Sequence, residues 1–309
     1  MKENKIKTAI TIRSFDLQSD AHEKLSDKTA IVYTNSSGQR LTEKDLCAAI
    51  RDAEGVIAGT ELFTATVLMS ARHLKVISRV GIGLDNIDLD FAGQQGITVL
   101  NTSHAPVAAV AEHTIALIFS LFKNIPQYHQ RIHQGDYSIQ QGSMIRGKTL
   151  GIVGLGKIGR NVAILAETLG LKIIYFDPWA QNSIPDTWVG KTCLEDLLRD
   201  ADIITLHIPP QTQNRPVLDK TAFSFCKKGV VIINTARESL IDENALTDAL
   251  DHGFVASAGL DVVSVEPYKG SLLNYPQVVI TPHVASNTFE SRQQMEIEAV
   301  ENMLHALGM

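Results

Sequence analysis

Residues 149–177 read TLGIVGLGKIGRNVAILAETLGLKIIYFD and contain every part of a nucleotide-binding βαβ unit. An apolar stretch, residues 150–153, predicts a strand, and apolar residues at helical spacing over 158–169 predict the helix that follows it. A second strand is predicted over 172–176, and it ends in Asp177. A glycine motif alone is weak evidence, whereas strand, spacing, helix and terminal acid agree here.

Three glycines separate the first strand from the helix, and each has a physical role. Gly154 lets the chain turn, Gly156 lets the backbone approach a pyrophosphate, and Gly159 lets the helix pack closely on the strand. The unpaired N–H groups of the helix N-terminus attract phosphates. Asp177 can accept hydrogen bonds from a ribose diol and repels a 2′-phosphate. The motif therefore predicts NAD rather than NADP as cofactor.

Composition excludes several other classes of protein. The 309 residues carry a net charge of −6, with 44% hydrophobic and 20% charged residues, which is ordinary for a globular protein and unfavourable for a nucleic-acid or anionic-membrane surface. Cys47, Cys193 and Cys226 lie far apart, so neither a disulfide framework nor a zinc site is expected, and no other spacing suggests a metal. The N-terminus has no apolar signal-peptide core. We expect a cytoplasmic protein that binds neither nucleic acid nor membrane.

Strand-like and helical segments alternate along nearly the whole chain, which predicts an α/β fold of two doubly wound, Rossmann-like domains with parallel sheets. The second sheet is predicted to have about six strands. A last helix over 288–307 has no strand after it, so we expect it to return to the N-terminal domain. The predicted domains are a discontinuous, flavodoxin-like substrate domain, 1–100 plus 287–309, and an inserted NAD-binding domain, 101–286.

Polar residues follow three of the later strands, where ligands of doubly wound folds bind. These residues are Arg237, Glu266 and His283. Taken singly, each has a plain alternative: an arginine in a salt bridge, a surface carboxylate or a capping histidine.

Six blocks of sequence, in order and in register, cover nearly the whole chain. They are SRVGIGLDNID (78–88), AEHT (111–114), GLGKIG (154–159), NTARESLIDENAL (234–246), AGLDVVSVEP (258–267) and TPHVAS (281–286). Together they resemble the D-isomer-specific 2-hydroxyacid dehydrogenases. The resemblance implies that His283 is the general acid/base, Glu266 its hydrogen-bonded partner, and Arg237 the group that pairs the substrate carboxylate and polarises its carbonyl.

The residue types suit this chemistry. Negative charge develops on the oxygen of a 2-keto acid when hydride reaches its carbon, so a proton donor with a near-neutral pKa is required beside it. A guanidinium can form two parallel hydrogen bonds to a carboxylate. The resemblance further implies cofactor contacts at Gly154, Gly156, Lys157, Ile158, Gly159, Asp177, Ile208, Thr235, Ala236, Asp261, His283 and Ala285. It implies substrate contacts at Arg79, Val80, Gly81 and Arg237.

Arg79 is the best indication of the substrate. Members of this family that oxidise phosphoglycerate have an arginine at the equivalent place, and a second cation suits D-3-phosphoglycerate or 3-phosphohydroxypyruvate. Other acids, of the glyoxylate, hydroxypyruvate, lactate or sulfolactate type, remain alternatives, as does an NAD(H)-sensing binding protein. Glu238 stands where many relatives have glycine, and residues 133–146 lack an expected tryptophan. The chain ends at Met309, so no C-terminal regulatory module is expected.

The helix that begins near Pro106 and the segment after it are more hydrophobic than one monomer requires. The resemblance implies a homodimer contact through this part of the NAD-binding domain.

Overall fold

A computed structural model describes residues 5–180, 183–210, 215–265 and 267–309 of the chain. The chain separates into two compact units, called here the first unit, Met1–Pro106 with Asn287–Met309, and the second unit, Val107–Ser286. The last strand of the first unit, β5 (Thr98–Asn101), is paired with its neighbour β4 (Val76–Arg79), so the chain crosses to the second unit only after Pro106.

The described part of the first unit forms a five-stranded parallel sheet of order β2-β1-β3-β4-β5. This is the flavodoxin-like order, 2-1-3-4-5. Its remaining elements are β1 (Lys7–Ile10), α1 (Asp20–Lys28), β2 (Ala30–Thr34), α2 (Glu43–Ile50), β3 (Gly55–Ala58), α3 (Ala65–Ser70), α4 (Leu89–Gln94) and α11 (Phe289–Ala306).

The last helix, α11, belongs to the first unit. The sequence predicts this because no strand follows the helix. Its buried face, which includes Met295, Ala299 and Met303, packs in an apolar cluster with Ile10 and Ile57 of the sheet. A second apolar cluster contains residues of α2, α3 and α4. Apolar packing of the C-terminal helix therefore makes this unit discontinuous in sequence.

The described part of the second unit contains a seven-stranded parallel sheet of order β12-β11-β10-β9-β6-β7-β8. Its elements are α5 (Val107–Phe122), α6 (Ile125–His133), β6 (Thr149–Val153), α7 (Lys157–Thr168), β7 (Lys172–Phe176), β8 (Val189–Gly190), α8 (Leu194–Asp200), β9 (Ile203–Leu206), α9 (Lys220–Phe225), β10 (Val230–Asn234), α10 (Glu243–Asp251), β11 (Val255–Leu260) and β12 (Val278–Ile280). The strand order reverses between β6 and β9, as it does at the switch point of a Rossmann fold.

The prediction of about six strands in this sheet falls one short. The extra strand, β8, has only two residues, both exposed, at the edge of the sheet beside β7. So short a pairing leaves no alternation of apolar and polar residues for the sequence to show.

Among the described residues, no single helix is long and apolar enough to cross a bilayer; α5 and α6 reach that length only as a pair bent by 60°. Eight side chains of α5 are buried, and Leu117, Ile118 and Leu121 lie in an apolar core of the second unit.

Candidate active site

The glycine loop between β6 and α7 depends on residues without side chains. Gly154 has φ +94°, and a Cβ there would lie 2.6 Å from the carbonyl oxygen of His207. A Cβ on Gly159 would lie 2.1 Å from the carbonyl oxygen of Gly154. Any larger residue at these two positions would therefore force β6, β9 and α7 apart.

Gly156 differs from the other two glycines because no heavy atom lies within 4 Å of the position that its Cβ would take. It is the N-cap of α7 and, as a glycine, makes no side-chain cap hydrogen bond. Lys157 and Ile158 form the first turn. The open space at Gly156 lets a phosphate approach the N-terminus of α7, which fits the pyrophosphate of a dinucleotide.

Asp177 follows β7 and is tied to the same loop. Its Oδ2 accepts a hydrogen bond from the N–H of Leu155 at 2.7 Å, and its Oδ1 accepts one from Trp179 at 2.8 Å. A carboxylate has about four lone-pair sites, so two remain for ribose hydroxyls. Ile208 is half-buried and packs against the apolar core of this unit, with its Cγ2 2.5 Å from a Cβ placed on Gly154.

The segment after β10 is held by its own side chains. Asn234, which is buried, accepts from the N–H of Ala236 at 3.0 Å and donates from Nδ2 to the carbonyl oxygen of Arg237 at 2.8 Å. The Oγ1 atoms of Thr235 and Thr114 lie 3.0 Å apart. Arg237 donates from Nη1 to the carbonyl oxygen of Ala236 at 2.7 Å, which holds one side of its guanidinium against the backbone of this segment.

Asp261 joins the end of β11 to the loop that carries His283. The carboxylate, whose side chain is 0% exposed, accepts from Thr281 Oγ1 at 2.6 Å and from the N–H groups of Val284 at 2.9 Å and Ala285 at 2.8 Å. Its buried position makes Asp261 a support of this loop in the structure. The backbone N–H of His283 donates to the carbonyl oxygen of Asp261 at 2.9 Å.

His283 has φ +55°, in the left-handed region that few non-glycine residues adopt. Such a conformation persists only where surrounding contacts determine it, and the hydrogen bonds that Asp261 accepts from the backbone N–H groups of residues 283–285 do so here. The imidazole lies at an exposed position of the second unit.

Two histidines near this network do not stand out in the sequence. Nε2 of His113, on α5, lies 3.1 Å from Thr281 Oγ1 and 3.6 Å from Asp261 Oδ1. His207, after β9, is half-buried, and desolvation by burial lowers its pKa to about 3. Its Nε2 lies 2.9 Å from Thr205 Oγ1. The only sequence signal for either residue is a histidine inside or next to a strongly apolar segment.

In the first unit, Arg79 ends β4 and its guanidinium lies over Gly81, since a Cβ on that glycine would be 1.4 Å from Nη1. Gly81 has φ +134° and donates its N–H to Thr102 Oγ1 at 2.6 Å. Val80 donates to the carbonyl oxygen of Ala58 at 2.9 Å. A substrate carboxylate could take these two N–H groups only by replacing or sharing bonds that the unit already makes.

The structure therefore connects Thr235, Ala236, Arg237, Asp261, His283 and Ala285 within the second unit, and it places Arg79, Val80 and Gly81 together in the first. Glu266, the expected partner of His283, lies outside the described residues.

Comparisons with known proteins identify the family to which the chain belongs. Residues 115–285 match the family model described as D-isomer specific 2-hydroxyacid dehydrogenase, NAD binding domain, which confirms the predicted cofactor. The chain is 39% identical over 296 residues to the D-3-phosphoglycerate dehydrogenase of Bacillus subtilis, with 91% of this chain and 56% of that protein covered. It thus spans little more than half the length of that relative.

Other relatives match the chain from end to end. The hydroxypyruvate reductase of Thermotoga maritima is 35% identical over 301 residues, with 95% of this chain and 96% of that protein covered. The crystal structure of a glyoxylate reductase from Paecilomyes thermophila superposes with a TM-score of 0.86 at 30% identity, covering 98% of this chain and 95% of that one, and it confirms the predicted fold class. The chain belongs to the D-isomer-specific 2-hydroxyacid dehydrogenase family.

Proposed function

We propose that the protein interconverts a D-2-hydroxy acid and its 2-keto acid with NAD as hydride carrier, and that its preferred pair is D-3-phosphoglycerate and 3-phosphohydroxypyruvate. The observation that carries the reaction type is the support of His283 by Asp261, because a proton donor must be held in place beside the reacting oxygen. When bound, NAD supplies or accepts the hydride.

In the proposed reaction, the imidazole of His283 donates a proton to the carbonyl oxygen during reduction and removes it from the hydroxyl during oxidation. Arg237 binds the substrate carboxylate through guanidinium N–H groups other than the one bonded to Ala236. The carbonyl oxygen of Arg237 accepts a hydrogen bond from Asn234, and the N–H of His283 donates one to Asp261. The backbone at both positions is therefore held, and little reorganisation is needed when the substrate binds. Glu266 is proposed to orient the imidazole of His283.

The proposed preference for NAD rests on Asp177. Its carboxylate ends β7 and is bonded to the glycine loop at Leu155, so a 2′-phosphate at the ribose would meet a fixed negative charge. NADH should therefore give a lower KM than NADPH.

Arg79 carries the substrate assignment, because its guanidinium is held against Gly81 at the end of β4 and could bind a second anionic group. A second candidate, reduction of hydroxypyruvate, is favoured by the end-to-end match to a hydroxypyruvate reductase. The two differ only in the distal phosphate.

NADH oxidation measured against phosphohydroxypyruvate, hydroxypyruvate, glyoxylate, pyruvate and sulfopyruvate tests the proposal. We expect His283→Asn to lower kcat by about 10²- to 10⁴-fold, the usual contribution of general acid catalysis. His252→Asn, at an exposed histidine bonded to the carbonyl oxygen of Asp248, should leave kcat unchanged. Absence of turnover on every acid would refute the proposed dehydrogenase activity and favour an NAD(H)-sensing binding protein.

The same assay separates the two substrates. Arg79→Gln should raise KM for phosphohydroxypyruvate by roughly 10-fold or more, the equivalent of about 1.4 kcal/mol, and leave KM for hydroxypyruvate nearly unchanged. A higher kcat/KM for hydroxypyruvate in the unaltered protein would select the second candidate.

We further propose a homodimer through the second unit. Large apolar side chains on and after α6 are exposed, among them Ile132 (48%), Tyr137 (77%) and Ile139 (89%), and exposed apolar patches of this kind mark interfaces. Light scattering that returns the monomer mass of 33.8 kDa would refute the dimer.

A further inference from the structure

A polar cavity of about 350 Å³ lies in the second unit where strands of its sheet begin. Its lining includes Lys148, which precedes β6, Asp202, which precedes β9, and the start of β10 at Val230. Because all strands of this sheet are parallel, their amino ends share one edge. We call this space the amino-edge cavity; the glycine loop and Arg237 lie at the opposite, carboxyl edge.

The amino-edge cavity is positively charged although the whole chain carries −6. Three lysines, Lys148, Lys227 and Lys228, and one carboxylate, Asp202, line it. Asp202 is already matched, by Lys227 Nζ at 3.0 Å and by the N–H of Thr149 at 2.8 Å. Neither Lys148 nor Lys228 forms an ion pair with a carboxylate of the described residues. Lys148 Nζ lies 5.7 Å from the centroid of the Phe122 ring. The charged side chains of the lining therefore sum to two net positive charges, which attract an anionic ligand.

Amide and hydroxyl groups make up much of the remaining lining. Gln127 donates from Nε2 to the carbonyl oxygen of Pro276 at 2.6 Å, while its buried Oε1 has no hydrogen-bond partner among the described residues. Ser257 and Gln277 line the same space. A buried acceptor without a partner is uncommon in proteins, and together with the lysines these groups suit an anion that also carries hydroxyl groups.

One wall of the amino-edge cavity is closely packed rather than a loose loop. Residues 140–143 lie against the end of α5, where the N–H of Ser143 donates to the carbonyl oxygen of Phe122 at 2.8 Å. A Cβ on Gly142 would lie 2.6 Å from that same oxygen, so glycine permits the close approach. The bond from Ser143 also satisfies a carbonyl at the negative end of the helix that would otherwise repel an anion.

We propose that the amino-edge cavity binds a small organic polyanion, one with paired carboxylates or with a phosphate and a carboxylate, and with at least one hydroxyl group. Its volume is near the lower end of the range for small-molecule sites, about 300–1,000 Å³. The site is separate from the proposed catalytic residues, because β10 runs from Val230 at the cavity to Asn234, a span of about 13 Å.

Calorimetric titration of the full chain with citrate and with inorganic pyrophosphate tests this site. Saturating NADH keeps the glycine loop occupied, so anions that prefer that helix N-terminus are excluded. We expect a Kd below about 1 mM, weakening as NaCl is added. The double variant K148M/K228M should bind at least about 10-fold more weakly, whereas K220M/K269M, at two exposed lysines of this unit that do not line the cavity, should bind as the unaltered protein does.

Two further variants complete the test. Arg237→Gln removes the proposed substrate-carboxylate group and should leave polyanion binding unchanged. Gly142→Ala displaces the packed wall of the cavity and should weaken polyanion binding. If citrate and pyrophosphate bind K148M/K228M as tightly as the unaltered protein, or if Arg237→Gln abolishes the heat, the anion binds at the carboxyl edge and the proposal fails. Lys228→Met alone changes an exposed side chain and should not disturb folding. It should still lower the affinity for citrate and pyrophosphate, by less than the double variant does.

Discussion

The two ends of β10 and β11 in the second unit are built on different principles. At the carboxyl ends, Asn234 and Asp261 are buried side chains whose hydrogen bonds are made to neighbouring backbone. At the amino ends, the surroundings are an open cavity whose charges sit on long lysine side chains. Short, fully bonded side chains fix atoms to within fractions of an ångström, as catalysis needs. Lysines supply charge without fixing position.

The difference predicts where substitution is costly. At the carboxyl edge, removing one acceptor leaves several buried donors unpaired, while at the amino edge a lysine can be removed with little effect on folding. Three substitutions at the carboxyl edge test the first half of this contrast through the free energy of unfolding, from the largest expected effect to the smallest.

Asp261→Ala should have the largest effect. Its carboxylate accepts from Thr281 Oγ1 and from the N–H groups of Val284 and Ala285, and these donors would lose their partner inside the protein. We expect a loss of about 3–5 kcal/mol in urea denaturation, the range for breaking a buried charged network. Asp200→Ala, at a carboxylate whose side chain is 54% exposed, should change stability by about 0.5 kcal/mol or less. A similar small loss for both would show that Asp261 does not hold the loop.

His207 should give an intermediate effect that depends on pH. Burial lowers its pKa in the folded chain to about 3, whereas an unfolded histidine titrates near 6.5. Between these values the unfolded chain binds more protons, so stability falls as pH falls below about 6.5. The loss between pH 7.5 and pH 5 should be about 2 kcal/mol from this residue, since each pKa unit corresponds to 1.36 kcal/mol.

Urea denaturation of His207→Gln at both pH values measures that contribution. The variant should lose about 2 kcal/mol less between pH 7.5 and pH 5 than the unaltered protein does. His252→Gln, at an exposed histidine, should show the full loss. Equal pH dependence in all three proteins would mean that the pKa of His207 in the folded chain is not lowered.

The sequence predicts the features of the carboxyl edge that lie close together along the chain, but not the contacts between residues far apart in sequence. The glycine loop, β7 and Asp177 follow one another within 29 residues, so spacing alone reveals their roles. The Asp261 network instead joins α5, β11 and the His283 loop, and His113 meets Thr281 across 168 positions. No periodicity encodes such a contact. The sequence does not predict the edge strand β8 because two residues carry no pattern. It does not predict the cavity because Lys148 lies in a different segment from Lys227 and Lys228.

Gly156→Ala should have the smallest effect on folding. Its backbone, with φ −71° and ψ −165°, is open to any residue, and no heavy atom lies within 4 Å of the added Cβ. We expect a change in unfolding free energy of about 0.5 kcal/mol or less, together with weaker NADH binding in fluorescence titration, because the methyl group would occupy the space left for a pyrophosphate. Gly159→Ala is the contrasting variant, since its Cβ would lie 2.1 Å from the carbonyl oxygen of Gly154 and should destabilise the fold. Equal losses of stability at the two glycines would mean that Gly156 is needed for packing within the chain. If Gly156→Ala leaves NADH affinity unchanged, the pyrophosphate does not bind at this loop.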